Sequence, residues 1–490
     1  MQTVAPVGRS CCKNVLKEEV HAYFERIAPE IDRWSDRSRY YYRDITRLHQ
    51  FVIPPHQRVL EIGSGTGDLL AAVAPAVGVG IDFSATMVAL AQQKHPHLRF
   101  YCLDVETITP DAIGDRPQTF DYIILSGVTG FLSDIQAALV RLRPFCHRRT
   151  RVILTFHNFL WEPMLKLAEA IGQRRPQPPY SWLSMDDVAN LLLITGYQSL
   201  KRGRRLLLPK QVPGLSNLLN RYLAPLPFFK HFCLTNYIVA KVQPVPVQTP
   251  LTCSVIVPAR NEAGNIADAI ARMPQLGSKT EVIFVEGHSR DQTWQTIQDV
   301  SSAYCGPLTL KAFQQAGKGK ADAVRLGFTA ATGDILMILD ADLSVPPEDL
   351  PHFFDVIASG QGEFINGCRL VYPRSRRAMP FLNTLANKIF ALLFSFLLDQ
   401  PLKDTLCGTK VLWRTDYQRI AAGRRYFGDF DPFGDFDLLF GAAKLNLQTV
   451  EVPIRYQDRY YGASNIAHFR EGLVLLRMCA YASRKLKFVR

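Results

Sequence analysis

The sequence predicts an α/β chain of two successive domains, and three features predict it. Short β-branched runs alternate with helical patterns along both halves, the order expected of largely parallel sheets. The stretch Lys241-Val-Gln-Pro-Val-Pro-Val-Gln-Thr-Pro250 interrupts that alternation, because its prolines block helix and central strand and leave an extended linker. The two halves also open with different loop chemistry, and no internal repeat relates them. A length of 490 residues suits two or three domains, each with a real core. The divisions expected are an extension over 1–34, a first domain over 35–240, the linker 241–250 and a second domain over 251–490.

In the first half a helical preface leads to strand Arg58–Ile62, a glycine turn and a helix through Leu69 and Ala72. Strand Val77–Ile81, helix Met87–Lys94, strand Leu98–Leu103 and strand Tyr122–Leu125 follow. Helix Ile135–Leu142, strand Val152–Phe156 and strands near Arg205–Leu208 and Thr235–Ala240 complete it. The second half begins with strand Ser254–Pro258, helix Asn265–Met273 and strand Glu281–Val285. Helices Trp294–Val300 and Ala321–Ala330 and strand Ile335–Asp340 come next.

Composition narrows the function classes. With 47% hydrophobic and 21% charged residues the chain has a globular balance. A net charge of +13 favours anionic partners. Nucleic acid is not expected among them: no RNA or DNA module signature is present, and the basic residues divide almost evenly between the halves. The ten cysteines show no CxxC and no zinc-ligand spacing, which fits reduced thiols in a cytosolic protein. Cys11 and Cys12 lie in a polar amino-terminal stretch that reads as poorly ordered. No run of about 20 apolar residues occurs, so no conventional membrane span is expected.

The first chemical motif is Val59-Leu-Glu-Ile-Gly-Ser-Gly-Thr-Gly-Asp68, three glycines between a buried strand and a helix. Gly63, Gly65 and Gly67 permit positive φ and let a ligand approach the backbone. Strand two ends in Gly80-Ile-Asp82, whose carboxylate can accept both hydroxyls of a ribose. Asp104 ends the third strand in the same way. These residues, Glu61 to Gly67, Asp82 and Leu103-Asp104-Val105, resemble class I S-adenosylmethionine-dependent methyltransferases over about residues 35–240. The resemblance implies a Rossmann-like methyltransferase fold. It implies that Glu61, Gly63, Gly65 and Gly67 hold the amino-acid part of S-adenosylmethionine, Asp82 the ribose and Asp104 the adenine amine. The acceptor is not written in the sequence. His157 stands as either a general base or a surface histidine.

The segment Lys201–Lys241 carries eight basic residues and no acid, interleaved with leucine, proline and aromatics. It reads either as a surface for anionic membrane or as a solvated insertion.

In the second half, Val255-Ile-Val-Pro-Ala-Arg-Asn-Glu262 ends a strand where open α/β sheets bind ligands. Leu336-Met-Ile-Leu-Asp-Ala-Asp342 then places Asp340 and Asp342 one residue apart at the end of an apolar strand. Alternation about Ala341 predicts that both point to one side, unpaired, and such acids repel unless a cation lies between them. A hard divalent ion with phosphate oxygens would satisfy them, so Asp340 and Asp342 are the candidate metal ligands.

These motifs, with Gly317-Lys-Gly-Lys-Ala321, Asp404-Thr-Leu-Cys-Gly-Thr-Lys410, Gly434-Asp-Phe-Asp437 and Asp458-Arg-Tyr-Tyr-Gly-Ala-Ser464, resemble family 2 glycosyltransferases of GT-A fold. The resemblance is to the dolichyl-phosphate mannose synthase-like group and covers about residues 250–480. Val285-Glu-Gly-His-Ser289 departs from the usual Val-Asp-Asp-Gly-Ser, and Asn465 replaces a common lysine. The resemblance implies a nucleotide-sugar donor, Mg2+ or Mn2+, and a polyprenyl-phosphate acceptor reached from the cytoplasmic membrane face. Donor-binding candidates are Pro258, Ala259, Arg260, Glu262, Glu286, Lys320, Asp340, Arg369 and Arg459. Asp342 is the candidate catalytic metal ligand. Asp435 or Asp437 would serve as base for a hydroxyl acceptor, whereas a lipid phosphate needs none.

A soluble hydroxyl acceptor, with a non-catalytic first domain, is the alternative. The apolar helix over 381–398 is open between membrane interface and core.

Overall fold

The apolar run Arg58–Ile62 forms β1, with Val59, Leu60 and Ile62 buried, as a central strand covered on both faces requires. The computed structural model describes residues 9–114, 119–243, 250–370, 381–426, 435–454, 456–457 and 476–488. They fall into two units divided between Gln243 and Pro244.

In the first unit β1 pairs in parallel with β2 (Val77–Asp82) and β4 (Phe120–Ser126). The parallel set is extended by β3 (Arg99–Cys102) and β5 (Cys146–His157). Antiparallel pairing joins β7 (Thr235–Val242) to β5 and to β6 (Tyr197–Arg205). The resulting order, β3-β2-β1-β4-β5-β7-β6, reverses at β1 and leaves a crevice at the carboxyl ends of β1 and β4. One face packs Leu60, Ile123 and Leu154, the other Val59, Ile124 and Ile153.

Two local expectations are corrected here. The strand expected near Arg205–Leu208 ends instead at Arg205, because Leu206 takes φ +69° and turns into a small cluster with Leu165 and Leu234. The amino-terminal stretch is helical over Arg9–Ile27. Glu25 hydrogen-bonds Thr86, and Phe24 packs edge-on against Phe83 and Phe131. Tertiary contact supplies what the polar local sequence lacks.

The second unit is built on β8 (Thr252–Ala259), β9 (Lys279–Glu286), β10 (Thr309–Gln314) and β11 (Ile335–Ile338), all parallel. Its far side adds β12 (Phe364–Cys368), β13 (Lys410–Trp413) and β14 (Thr449–Pro453). β13 runs antiparallel between β11 and β12. The order is β10-β9-β8-β11-β13-β12-β14.

β11 stops before the acids. Leu343 N–H donates to the Asp340 carbonyl at 3.2 Å and Leu343 adopts φ +52°, so Asp340 and Asp342 lie on a turn and not on alternating strand positions. Within helix Phe381–Leu398, Phe394 is buried and stacks on Phe440 at 5.4 Å, while Ile389 and Leu392 are exposed. The described part of this helix therefore packs in the core along one side. Among the described residues no helix is long and apolar enough to cross a membrane.

Candidate active sites

At the first unit's crevice Gly63, Gly65 and Gly67 all have positive φ, and Gly63 and Ser64 N–H donate to the Ile81 carbonyl at 2.7 and 3.0 Å. A Cβ on Gly67 would fall 2.5 Å from Phe100 Cζ, whereas one on Gly65 would meet nothing within 4 Å. Gly67→Ala is therefore expected to cost about 1–3 kcal/mol through left-handed strain and overpacking. Calorimetric melting should show the loss in one of the chain's transitions, with Gly65→Ala milder because it bears the left-handed strain without the overpacking.

Asp82 is buried, and burial pushes its carboxyl up. Its oxygens accept Gly65 N–H at 2.9 Å and Ser84 N–H at 3.0 Å, which fixes the carboxylate against the loop. Glu61 lies deeper. Burial raises its pKa well above the usual carboxylate range, and Oε2 has no hydrogen-bond partner. A buried carboxylate oxygen left without a donor suits a cationic ligand group, so the residues present fit the amino-acid portion of S-adenosylmethionine.

Asp104 lines the same cavity, of about 590 Å3, together with Glu61, Gly63, Gly65 and Asp82. Lys17, from helix Arg9–Ile27, ion-pairs Asp104 and reaches Glu106 at 2.9 Å. That partner was not foreseen, because nothing near Asp104 in sequence signals it.

His157 is neither a surface histidine nor a suitable base. Its ring sits among Tyr41, Tyr180 and Trp182, with centroids 5.8, 6.0 and 6.4 Å away. Burial, helped by Arg174, drives its pKa down to about 3. A group so weakly basic accepts a proton poorly near neutral pH.

In the second unit the ends of β8, β9 and β11 lie side by side. Just beyond each stands a non-glycine residue with positive φ: Asn261 at +57°, His288 at +55° and Leu343 at +52°. Local strain of this kind persists where surroundings over-determine it and clusters at functional sites. Pro258 and Ala259 end β8, Ala259 in register with Glu286, and Arg260 is exposed beyond them. Asn261 accepts Arg290 N–H at 2.7 Å. Glu262 donates its own N–H to Thr293 Oγ1 at 2.9 Å and accepts from Asn265 Nδ2 at 2.6 Å. Glu286 is buried and accepts from Ser289 N–H and from Gln314 Nε2. Gly287, at the departure from the usual motif, donates to the Ala259 carbonyl at 2.9 Å. His288 Nε2 meets the Gly317 carbonyl at 2.9 Å.

The expectation of two unpaired acids is not met. Lys320 Nζ pairs with Asp340 at 2.6 Å, and Asp342 Oδ1 accepts both N–H (3.0 Å) and Oγ–H (2.7 Å) of Ser344. Burial opposes ionisation of Asp340, but Lys320, Lys410 and Arg369 outweigh it and hold its carboxyl below the usual value. Gly408 is pressed against this pair: a Cβ there would fall 2.0 Å from Asp340 Oδ2 and 2.6 Å from Lys320 Nζ. The motif Asp404–Lys410 is thus brought onto the acids.

Two other candidates are engaged elsewhere. Arg369 makes a bidentate contact with the fully buried Asp404 at 2.7 and 2.8 Å, so its fork is not turned to a ligand. Asp437 is held through Oδ2 by Arg424 at 2.7 Å and Arg325 at 3.5 Å, so that oxygen is engaged within the unit. Arg459, the Asp435 side chain and the segment 458–465 lie outside the described residues. Among the described residues no three His, Cys, Asp or Glu side chains converge as metal ligands. The carboxylate oxygens of Asp340 and Asp342 are of the chemical kind a hard cation takes, the rest of its ligands being water and substrate phosphate.

Residues 254–420 match the family model described as glycosyl transferase family 2, and residues 60–152 match one described as a methyltransferase domain. The chain is 34% identical over 137 residues to dolichol-phosphate mannosyltransferase of Pyrococcus furiosus, covering 28% of this chain and 38% of that protein. It is 24% identical over 233 residues to undecaprenyl-phosphate 4-deoxy-4-formamido-L-arabinose transferase of Pseudomonas fluorescens, covering 45% and 62%. The alignments thus span less than two thirds of either relative. Among solved structures, a SAM-dependent methyltransferase of Thermotoga maritima is 15% identical with a TM-score of 0.33, covering 46% of this chain and 99% of that one. Glucosyl-3-phosphoglycerate synthase of Mycobacterium tuberculosis is 18% identical with a TM-score of 0.35, covering 48% and 80%.

Proposed function

We propose that this chain, which joins a methyltransferase domain to a family 2 glycosyltransferase domain, transfers a sugar from a nucleotide-sugar donor to a polyprenyl phosphate and carries a methyl-transfer activity in its first domain. The observation that carries the sugar-transfer reading is the cluster of β8, β9 and β11 ends. There Ala259 pairs in register with Glu286, Arg260 follows it, and Lys320 and Asp340 pair against the Gly408 backbone. Arg260 and Lys320 contact donor phosphates, and Glu286 meets the base. Asp340 and Asp342 would hold Mg2+ or Mn2+, which offsets charge on the leaving diphosphate.

A lipid phosphate is favoured over a hydroxyl because Asp437, the describable base candidate, is held by two guanidinium groups. A phosphate acceptor brings its own anionic oxygen, and its direct displacement inverts the anomeric carbon. Both aligned relatives named above carry a polyprenyl phosphate in their names. Such an acceptor puts the enzyme at the cytoplasmic face of a membrane as a peripheral protein. In the first unit Glu61, the glycine loop, Asp82 and Asp104 hold S-adenosylmethionine, which supplies the methyl group.

The test is a screen of radiolabelled sugar nucleotides with polyprenyl phosphate. Label is expected in the butanol phase, dependent on Mg2+ or Mn2+. Label transferred only to a water-soluble acceptor would replace this reading with the hydroxyl-acceptor one.

A further inference from the structure

Of nineteen large apolar side chains exposed among the described residues, twelve lie in two segments of the first unit, 159–171 and 212–232. In the first segment Leu160, Met164, Leu167 and Ile171 recur at helical spacing along helix Glu162–Ala170 and its two ends. Leu165 turns the other way, into the cluster with Leu206 and Leu234. The apolar stripe of this helix therefore faces outward, the reverse of an ordinary surface helix. In the second segment Leu218, Tyr222 and Phe228 are likewise exposed, Phe228 at 68%.

Hydrogen bonds join the segments into one face. Trp161 Nε1 donates to the Phe232 carbonyl at 2.8 Å, Asn158 Nδ2 to the His231 carbonyl at 2.9 Å, and Lys210 Nζ to Gln173 Oε1 at 2.6 Å. Basic charge predominates on the second segment. Lys210, Arg221 and Lys230 lie in a stretch from 201 to 241 that contains no acid. Glu162 on the helix is already paired with Lys166. Exposed apolar groups interleaved with basic ones match a surface that is anionic at the headgroups and apolar below them.

We infer that this face, helix Glu162–Ala170 with the segment 210–232, docks the first unit on an anionic lipid surface. Trp161, Met164 and Lys210 also line the 590 Å3 cavity that carries Glu61 and Asp82. Docking therefore sets that rim of the cavity at the interface, where an amphiphile dissolved in the membrane can reach it. The inference stands apart from the sugar-transfer reading, since every residue it uses lies in the first unit.

The experiment is flotation of the full chain with phosphatidylcholine vesicles, with and without phosphatidylglycerol. The anionic lipid is expected to raise the partition coefficient about tenfold or more. Two double variants, Leu160→Glu with Leu167→Glu and Leu218→Glu with Phe228→Glu, change exposed positions on separate segments. Each is expected to lower binding about tenfold while keeping the parent melting profile. Binding equal to the parent in both variants would overturn the inference and assign membrane contact elsewhere in the chain. Indifference to phosphatidylglycerol would overturn it too. So would a parent dimer in sedimentation that both variants dissociate, because the face would then belong to a second copy.

Discussion

Replacing Asp342 with alanine is expected to lower sugar transfer about 10^3-fold, the scale seen when a group that stabilises transition-state charge is removed. Asp342 is nearly buried, and Ser344 fixes one of its oxygens through two hydrogen bonds, so the carboxylate is oriented before any ligand arrives. That orientation sits on a turn whose Leu343 carries positive φ while its side chain is buried in the core of the second unit. Donor binding measured by calorimetry with Mn2+ should weaken alongside turnover, while S-adenosylmethionine binding should not change. Undiminished donor binding and turnover would remove the metal from the reading and, with it, the role given to Asp340.

Glu61→Gln is expected to weaken S-adenosylmethionine binding about 10^2-fold, since a charged pair in a dry site contributes several times more than an exposed one. Burial holds Glu61 protonated well above the ordinary carboxylate range, with a backbone contact at Leu70 pulling partly the other way. A cation at Oε2 favours the ionised form, so cofactor binding releases a proton wherever the pH lies below the raised value. Affinity therefore climbs with pH from the usual carboxylate value up to the raised one.

The same shift has a consequence for folding. The native state holds this proton more tightly than the unfolded chain. Stability from Glu61 is thus complete below the ordinary carboxylate value and is lost as pH rises through the raised one. Calorimetry in two buffers of unlike ionisation enthalpy measures the released proton directly. The variant should release none, and equal release from both proteins would assign the proton to another group.

Legibility in the sequence followed locality. The glycine loop and Asp82 could be read because strand, turn and acid lie within a short stretch and each residue type has one evident use. Asp340 and Asp342 could be read as acids at a strand end, but their geometry could not. Strand alternation was assumed through Ala341, whereas the chain turns after Ile338 and Lys320 arrives from a separate helix. Arg369 looked available for phosphate because its partner Asp404 is distant in sequence. Strand β13 is four residues long and was invisible to periodicity, which needs a longer window. The leucine run after Arg205 misled for the opposite reason: its hydrophobicity was real, but it serves a bend.

The Lys17 contact has a practical corollary for anyone trimming this protein. The first 34 residues look expendable on paper, yet their helix contributes Lys17, Val20 and Phe24 to the compartment that holds Glu61 and Asp82. A fragment begun at residue 35 would lose that wall, leave Asp104 and Glu106 without their lysine, and expose the rings of Phe83 and Phe131. Poor behaviour of such a fragment would then speak of a missing roof and not of an inactive enzyme.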